Sequence, residues 1–284
     1  MTGRKFRAAC VQLRCSEDFG ENVYNASRII RDAHRAGAEF VATPENTGLM
    51  AADAGAKLAL SRSEKDDPGL PALCAVAEEL GIWLLAGSLA IKLPDGKTAN
   101  RSYLIGRDGR IAARYDKIHL FDVNLPGGES YRESNTVSAG GQAVIADLPW
   151  GRIGMSVCYD LRFPHLYRML AKAGAEILGV PSAFTETTGR AHWHVLLRAR
   201  AIENGCFVIA PAQGGKHANG RSTYGHSLIV GPWGDILAEA DTDPGFVLAE
   251  IDLEELAAVR ARVPSLQHDR PFSAPDMAFG KLPH

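Results

Sequence analysis

The stretch "MSVCYDLRFPHLYRML", residues 155–170, sets a cysteine where an apolar run gives way to an amphipathic one, with aspartate, arginine and proline directly behind it. A thiol so placed is either a small buried hydrophobe, as free cysteines commonly are, or a nucleophile. Two more polar residues stand at comparable breaks, Glu45 in "ATPENTG" and Lys117 in "RYDKIHLFD". A thiol, a carboxylate and an ammonium form a complete acyl-transfer set. The cysteine attacks a carbonyl-type carbon, the glutamate takes the thiol proton and passes it to the leaving amine, and the lysine stabilises the developing oxyanion. The backbone N–H of Tyr159, next after Cys158, is the candidate second oxyanion donor. A histidine base, His226 or His119, is the alternative partner for the same thiol, as in papain-like enzymes.

The elements around these residues must bring them together. "GRIGMSV" reads as a buried strand ending at Val157, and Leu166, Met169, Leu170 and Ala173 then recur at helical spacing as an apolar face. Cys158 is thus predicted at a strand-to-helix turn, near helix N–H groups that lower a thiol pKa. Elsewhere strands and helices alternate, and "NRSYLIGRDGRIAARYDK" reads as a hairpin turning at Asp108-Gly109. Helices are predicted over "NVYNASRIIRDAHRAGA", "GLPALCAVAEELG", "AHWHVLLRARAIENG" and "LEELAAVRARV". Ligands bind at the C-terminal strand ends of such mixed sheets, so Glu45, Lys117 and Cys158 can converge although far apart in sequence. Arg162, four residues after the cysteine, is placed either to clamp a substrate carboxylate or to pair with Asp160 or another acid. His192 and His194 flank Trp193 on different helix faces and read as packing or surface residues rather than metal ligands. "QGGKHANGRS" lacks the Walker spacing, which removes nucleotide binding.

The chain of 284 residues, 46% of them hydrophobic, can bury a large core, and no linker divides it, so residues 1–284 read as one α/β domain. A net charge of -2 with scattered basic residues offers no footprint for nucleic acid. Neither a signal-peptide pattern nor a bilayer-length apolar run is present, which predicts a cytoplasmic protein with no membrane contact. Five cysteines without a C-x-x-C pair suit reduced thiols. From Pro264 the periodicity fades, leaving a tail over about 264–284 that either packs on a neighbouring subunit or is disordered.

The motifs "PEN" at Glu45, "YDKIHLFD" at Lys117 and "CYDLRFP" at Cys158 occur in the order used by the nitrilase or carbon-nitrogen hydrolase superfamily, which the sequence resembles over essentially its whole length. "CYDLRFP" is similar to the Nit-type amidase branch, and "AQGG-H" with "R-S-YGHS", between Ala212 and Ser227, to the Nit1-like deaminated glutathione amidases. "ATPENTGLM" departs from the apolar-Pro-Glu pattern common there. The resemblance implies a Glu-Lys-Cys triad and a nitrilase-like four-layer α-β-β-α sandwich. It also implies a second active-site glutamate, Glu133 with Glu129 as rival, and Phe184 and Thr188 as pocket residues on a flexible loop "SAFTETTGRAHW". The implied activity is hydrolysis of a small carboxylate-bearing amide through a thioester, with ammonia release and no metal or cofactor. Deaminated glutathione is the leading substrate; 2-oxoglutaramate or 2-oxosuccinamate, as for ω-amidases, and N-carbamoyl amino acids are the alternatives. A homodimer or larger homo-oligomer, associated through its helices, is the implied assembly.

Overall fold

The structure, a computed structural model, describes residues 3–126 and 128–273. Five strands come first: β1 (Lys5–Gln12), β2 (Phe40–Ala42), β3 (Trp83–Lys92), β4 (Thr98–Ile105) and β5 (Ile111–Asp116). A small hairpin follows, β6 (Asp122–Asn124) with β7 (Ser130–Arg132), then β8 (Val144–Asp147), β9 (Arg152–Met155), β10 (Ile177–Gly179) and β11 (Phe207–Ala210). A second small hairpin joins β12 (Gly214–Lys216) to β13 (Ser222–Tyr224), before β14 (Leu228–Val230), β15 (Ile236–Glu239) and β16 (Gly245–Asp252). The helices are α1 (Phe19–Arg35), α2 (Ala54–Leu60), α3 (Gly69–Leu80), α4 (Pro164–Lys172), α5 (Glu186–Asn204) and α6 (Glu255–Arg262).

Two six-stranded sheets result, in the orders β16-β1-β2-β3-β4-β5 and β15-β14-β11-β10-β9-β8. Each has a parallel centre, β1-β2-β3 in one and β9-β10-β11 in the other, flanked by antiparallel strands, so both are mixed. Side chains alternate across β1: Ala8 and Cys10 enter the core shared by the two sheets, Ala9 and Val11 the layer beneath the helices. Phe40, Leu85 and Leu104 of the first sheet share that central core with Ile153, Ile177 and Ile209 of the second. On the outside, Ile30 of α1 and Leu73 of α3 pack on the first sheet, and Leu170 of α4 and Leu197 of α5 on the second. The layers are therefore helix, sheet, sheet, helix.

Three sequence expectations need correction. Met169 is 58% exposed; the inward face of α4 is Leu166, Tyr167, Leu170 and Ala171. The "ETTG" segment is the first turn of α5 and not a flexible loop, because the Thr185 side chain caps the helix by accepting from the Thr188 amide. The strand expected to end at Val157 ends at Met155, because the Val157 amide turns to Asp160 Oδ2 at 2.9 Å. In the first part of the tail, Leu266 packs on the central core, and the Lys172 ammonium of α4 meets the Asp269 carboxylate at 2.7 Å. The remainder of the tail lies outside the described residues. Among the described residues no helix is long and apolar enough to cross a membrane.

Candidate active site

Glu45 stands in the turn that leaves β2. Asn46 behind it has φ of 61°, a left-handed conformation that asparagine tolerates better than most residues. Gly87 in β3 lets this turn come close, for a Cβ there would lie 1.9 Å from the Thr43 carbonyl oxygen. The Gly87 amide donates to Thr43 Oγ1 at 3.0 Å, and Gln213 Nε2 donates to the Glu45 carbonyl at 3.0 Å. Lys117 follows β5 and is fixed on both sides: its amide donates to the Asn100 carbonyl at 3.0 Å, and the Gly140 amide donates to its carbonyl at 2.8 Å.

Cys158 leaves the second sheet three residues beyond the end of β9 and opens a short 3-10 turn, Cys158–Arg162, ahead of α4. Its φ of 50° is a costly conformation for a residue with a side chain, held here by surrounding bonds. The Cys158 amide donates to Pro181 O at 2.9 Å. Asp160, fully buried, accepts from the Val157 amide at 2.9 Å, the Tyr115 hydroxyl at 2.7 Å and the His119 amide at 3.0 Å, with His119 Nδ1 at 2.7 Å. That accounts for the aspartate in "CYDLRFP": it ties the nucleophile turn to the end of β5 and the segment beyond it.

The three breaks in the sequence meet. Lys117 Nζ lies 2.9 Å from Glu45 Oε1 and 2.9 Å from Glu133 Oε2, and is only 2% exposed. Asn100 Nδ2 donates to Glu45 Oε1 at 2.8 Å and to Glu133 Oε1 at 3.2 Å, while the Phe121 amide donates to Glu133 Oε2 at 2.7 Å. Burial alone would push the Lys117 ammonium down, but Glu133 and Glu45 hold it well above the usual lysine range. Burial would likewise raise Glu133, and Lys117 and Lys57 more than reverse it, down to about 2. The Cys158 thiol goes the other way from the sequence expectation. Burial pushes it up, the charge and hydrogen bonding of Glu45 add to this, and Lys117 and the Ala183 amide oppose it only in part. The sulfur is too enclosed for the turn's N–H groups to make a resting thiolate, so reaction there calls for a base.

A cavity of about 450 Å³ opens over these groups. Glu45, Lys117, Glu133 and Cys158 line it, together with Tyr159, Arg162, Phe184 and Thr188. Glu129 does not; it accepts from the Tyr131 hydroxyl at 3.1 Å on the protein surface. Arg162 is not paired with Asp160. Its guanidinium lies over the rings of Tyr159 and Phe184, at 5.8 and 5.4 Å, with His192 Nδ1 at 3.2 Å. Neither histidine proposed as base lines the cavity: His119 sits on Asp160, and His226 with His194 on Glu239 Oε1, each at 2.9 Å. All five cysteines are free. Sequence reading missed Asn100, which stands among Thr98, Arg101 and Ser102 in β4 and so interrupts no apolar pattern, and Lys57; Arg221 opens the "R-S-YGHS" motif, but was given no role.

The fold places the Cys158 turn at the end of one sheet and the buried Glu45–Lys117–Glu133 cluster at the end of the other. Residues 7–261 match the model of the carbon-nitrogen hydrolase family, and the chain belongs to that family as a C–N bond hydrolase. It is 43% identical to a deaminated glutathione amidase of Synechocystis sp. over 93% of this chain and 98% of the relative. To the human omega-amidase NIT2 it is 38% identical, over 93% and 95%. The crystal structure of the C. elegans NitFhit protein superposes with a TM-score of 0.89 at 37% identity, over 95% of this chain and 66% of that one.

Proposed function

We propose that the chain is a cysteine-dependent amidase whose preferred substrate is deaminated glutathione. Glu45 takes the Cys158 proton as the sulfur attacks the amide carbon, and Lys117 Nζ and the Tyr159 N–H stabilise the oxyanion. Glu45 then gives the proton to the departing amine, the C–N bond breaks, and a thioester remains. Water attacks the thioester, Glu45 takes its proton, and the carboxylic acid leaves as the proton returns to sulfur. Glu133 holds Lys117, and Arg162, Phe184 and Thr188 hold the substrate. The observation that carries this reading is the Lys117 ammonium fixed at 2.9 Å from both Glu45 and Glu133 in the cavity that Cys158 lines.

The expected leaving group needs revision for this substrate. Deaminated glutathione is the 2-oxoglutaryl amide of cysteinylglycine, so its hydrolysis yields 2-oxoglutarate and the dipeptide rather than ammonia. Ammonia is released only from ω-amides such as 2-oxoglutaramate, the second reading, which the omega-amidase relative favours. Both reactions form 2-oxoglutarate, so one coupled dehydrogenase assay compares them. The proposal expects a higher kcat/KM for deaminated glutathione and no turnover by Cys158→Ser; a clear preference for 2-oxoglutaramate moves the protein to the ω-amidases.

The same proposal includes a homodimer working in the cytoplasm. Met169 on α4, Val195 and Ile202 on α5, and Trp233 beside them are large apolar side chains left exposed on the outer helical layer, which supports association there. The free thiols suit a reducing compartment.

A further inference from the structure

Three cations in the cavity have no role in the chemistry above, and one of them, Arg132, is taken up by the Val123 and Tyr131 carbonyls and Asn124 Oδ1, at 3.0, 2.6 and 2.7 Å. Lys57 comes from α2 and Arg221 from the β12–β13 hairpin, and both line the cavity that holds Cys158. Among the described residues neither side chain has a carboxylate within salt-bridge distance. Arg221 Nη2 donates to the Ala183 carbonyl at 2.9 Å, its guanidinium lies 5.4 Å from the centre of the Tyr131 ring, and its Nε is buried with no partner. The Lys57 ammonium is pushed down by burial and further by the positive charges of Lys117 and Arg221, against the attraction of Glu133 and Glu45.

Two like charges near each other in a partly enclosed space repel unless an anion lies between them. The three carboxylates that line the cavity do not serve: Glu45 and Glu133 are already held by Lys117 and Asn100, and Asp53 caps α2 by accepting from the Ala56 amide at 2.8 Å. The loops that carry the pair are fastened together, with Asn219 Nδ2 donating to the Met50 and Ala51 carbonyls at 3.1 Å each and Asn219 Oδ1 accepting from the Arg221 amide at 3.0 Å. Arg221 is thus held in place in advance of any ligand, which reduces the ordering that binding would require.

We propose that Lys57 and Arg221 form a second carboxylate subsite, which binds a carboxylate on the amine side of the scissile bond while Arg162 holds the one on the acyl side. The side follows from the reading above, on which this inference rests: with Arg162 holding the acyl-side carboxylate, Lys117 held by the glutamates and Arg132 by its own hairpin, the cations that remain in the cavity, Lys57 and Arg221, fall to the amine side. Five cations and three carboxylates line the cavity, so a substrate carrying two negative charges is matched and one carrying a single charge is not. Deaminated glutathione, with its 2-oxo acid and its glycine carboxylate, has that pattern; an ω-amide lacks the second charge.

The test measures binding in the Cys158→Ser protein, so that turnover is not required, by calorimetry with deaminated glutathione and with its C-terminal glycinamide analogue. The free acid should bind about 10- to 100-fold more tightly, the range of one charge-assisted pair. Lys57→Met and Arg221→Met should each shrink that ratio towards one, and Lys57→Arg should restore it. Equal affinity for acid and amide, failure to bind either, or a ratio that survives both methionine variants overturns the subsite. In the Cys158-intact protein, absence of turnover of both deaminated glutathione and 2-oxoglutaramate would refute the proposed reaction while the affinity ratio still decides the subsite.

Discussion

At the scale of single residues, burial decides the chemistry. Cys158 is 7% exposed and its thiol is pushed up, so the proposed reaction requires Glu45 to take the proton from sulfur. The difference in thiolate ultraviolet absorbance between the protein and Cys158→Ser should therefore stay flat through about pH 9, where an ordinary thiol is largely ionised. A rise near the usual thiol pKa would mean that the sulfur is activated without the glutamate. Replacement of Glu45 by Gln should lower kcat by about 10³-fold or more with folding intact, as loss of a base and acid in one residue does. Near-normal turnover would return the role to a histidine. Glu133 adds a stability term of known sign. Its folded pKa lies below its unfolded one, so its stabilisation is present above about pH 4.5 and is lost as the pH falls towards about 2. Denaturant midpoints measured across that window should fall more steeply in the native protein than in Glu133→Gln; parallel curves would count against the Lys117–Glu133 pairing.

At the scale of elements, what was legible in the sequence was whatever interrupts a local pattern. Glu45, Lys117 and Cys158 each stand just past a strand in a proline- or charge-rich turn, and those strands form as their patterns predict, the one before Cys158 ending two residues early at Met155. The thiol's environment was not legible, since a turn's position says nothing of how deeply the next layer covers it. The roles of Lys57 and Arg221 were hidden for a related reason: α2 is a short helix without a buried face, and Arg221, although it opens a motif legible in the sequence, is turned to the cavity by contacts with Ala183, Tyr131 and Met50. Asp160 illustrates a residue whose motif was plain and whose work was not. It is the shared acceptor that joins the nucleophile turn to Tyr115 and His119. Asp160→Ala should cost about 3 kcal/mol, because several buried donors lose their acceptor at once. Chemical denaturation measures this, and a cost under about 1 kcal/mol would show that the turn stands without it. Gly87→Ala acts on the neighbouring element: its Cβ cannot coexist with the Thr43 carbonyl, so activity should fall through displacement of Glu45.

At the scale of the whole molecule, two sheets packed face to face bring residues from distant segments to one cavity, Glu45 from one sheet and Cys158 from the other. The exposed apolar residues of the outer helical layer extend the same logic to a second copy of the chain. Sedimentation at micromolar concentration should give a dimer or larger assembly, and Val195→Glu, which sets a charge on that face, should shift it towards monomer; a monomeric native protein would contradict the assembly. The central claim is that Cys158 carries the acyl group between the two half-reactions. Rapid acid quench during turnover of deaminated glutathione, followed by mass analysis of the peptide that contains Cys158, tests it most directly. A 2-oxoglutaryl thioester on that peptide, absent from Cys158→Ser, is the predicted result. Sustained turnover with no acyl group on Cys158, or with the group on another residue, would contradict it.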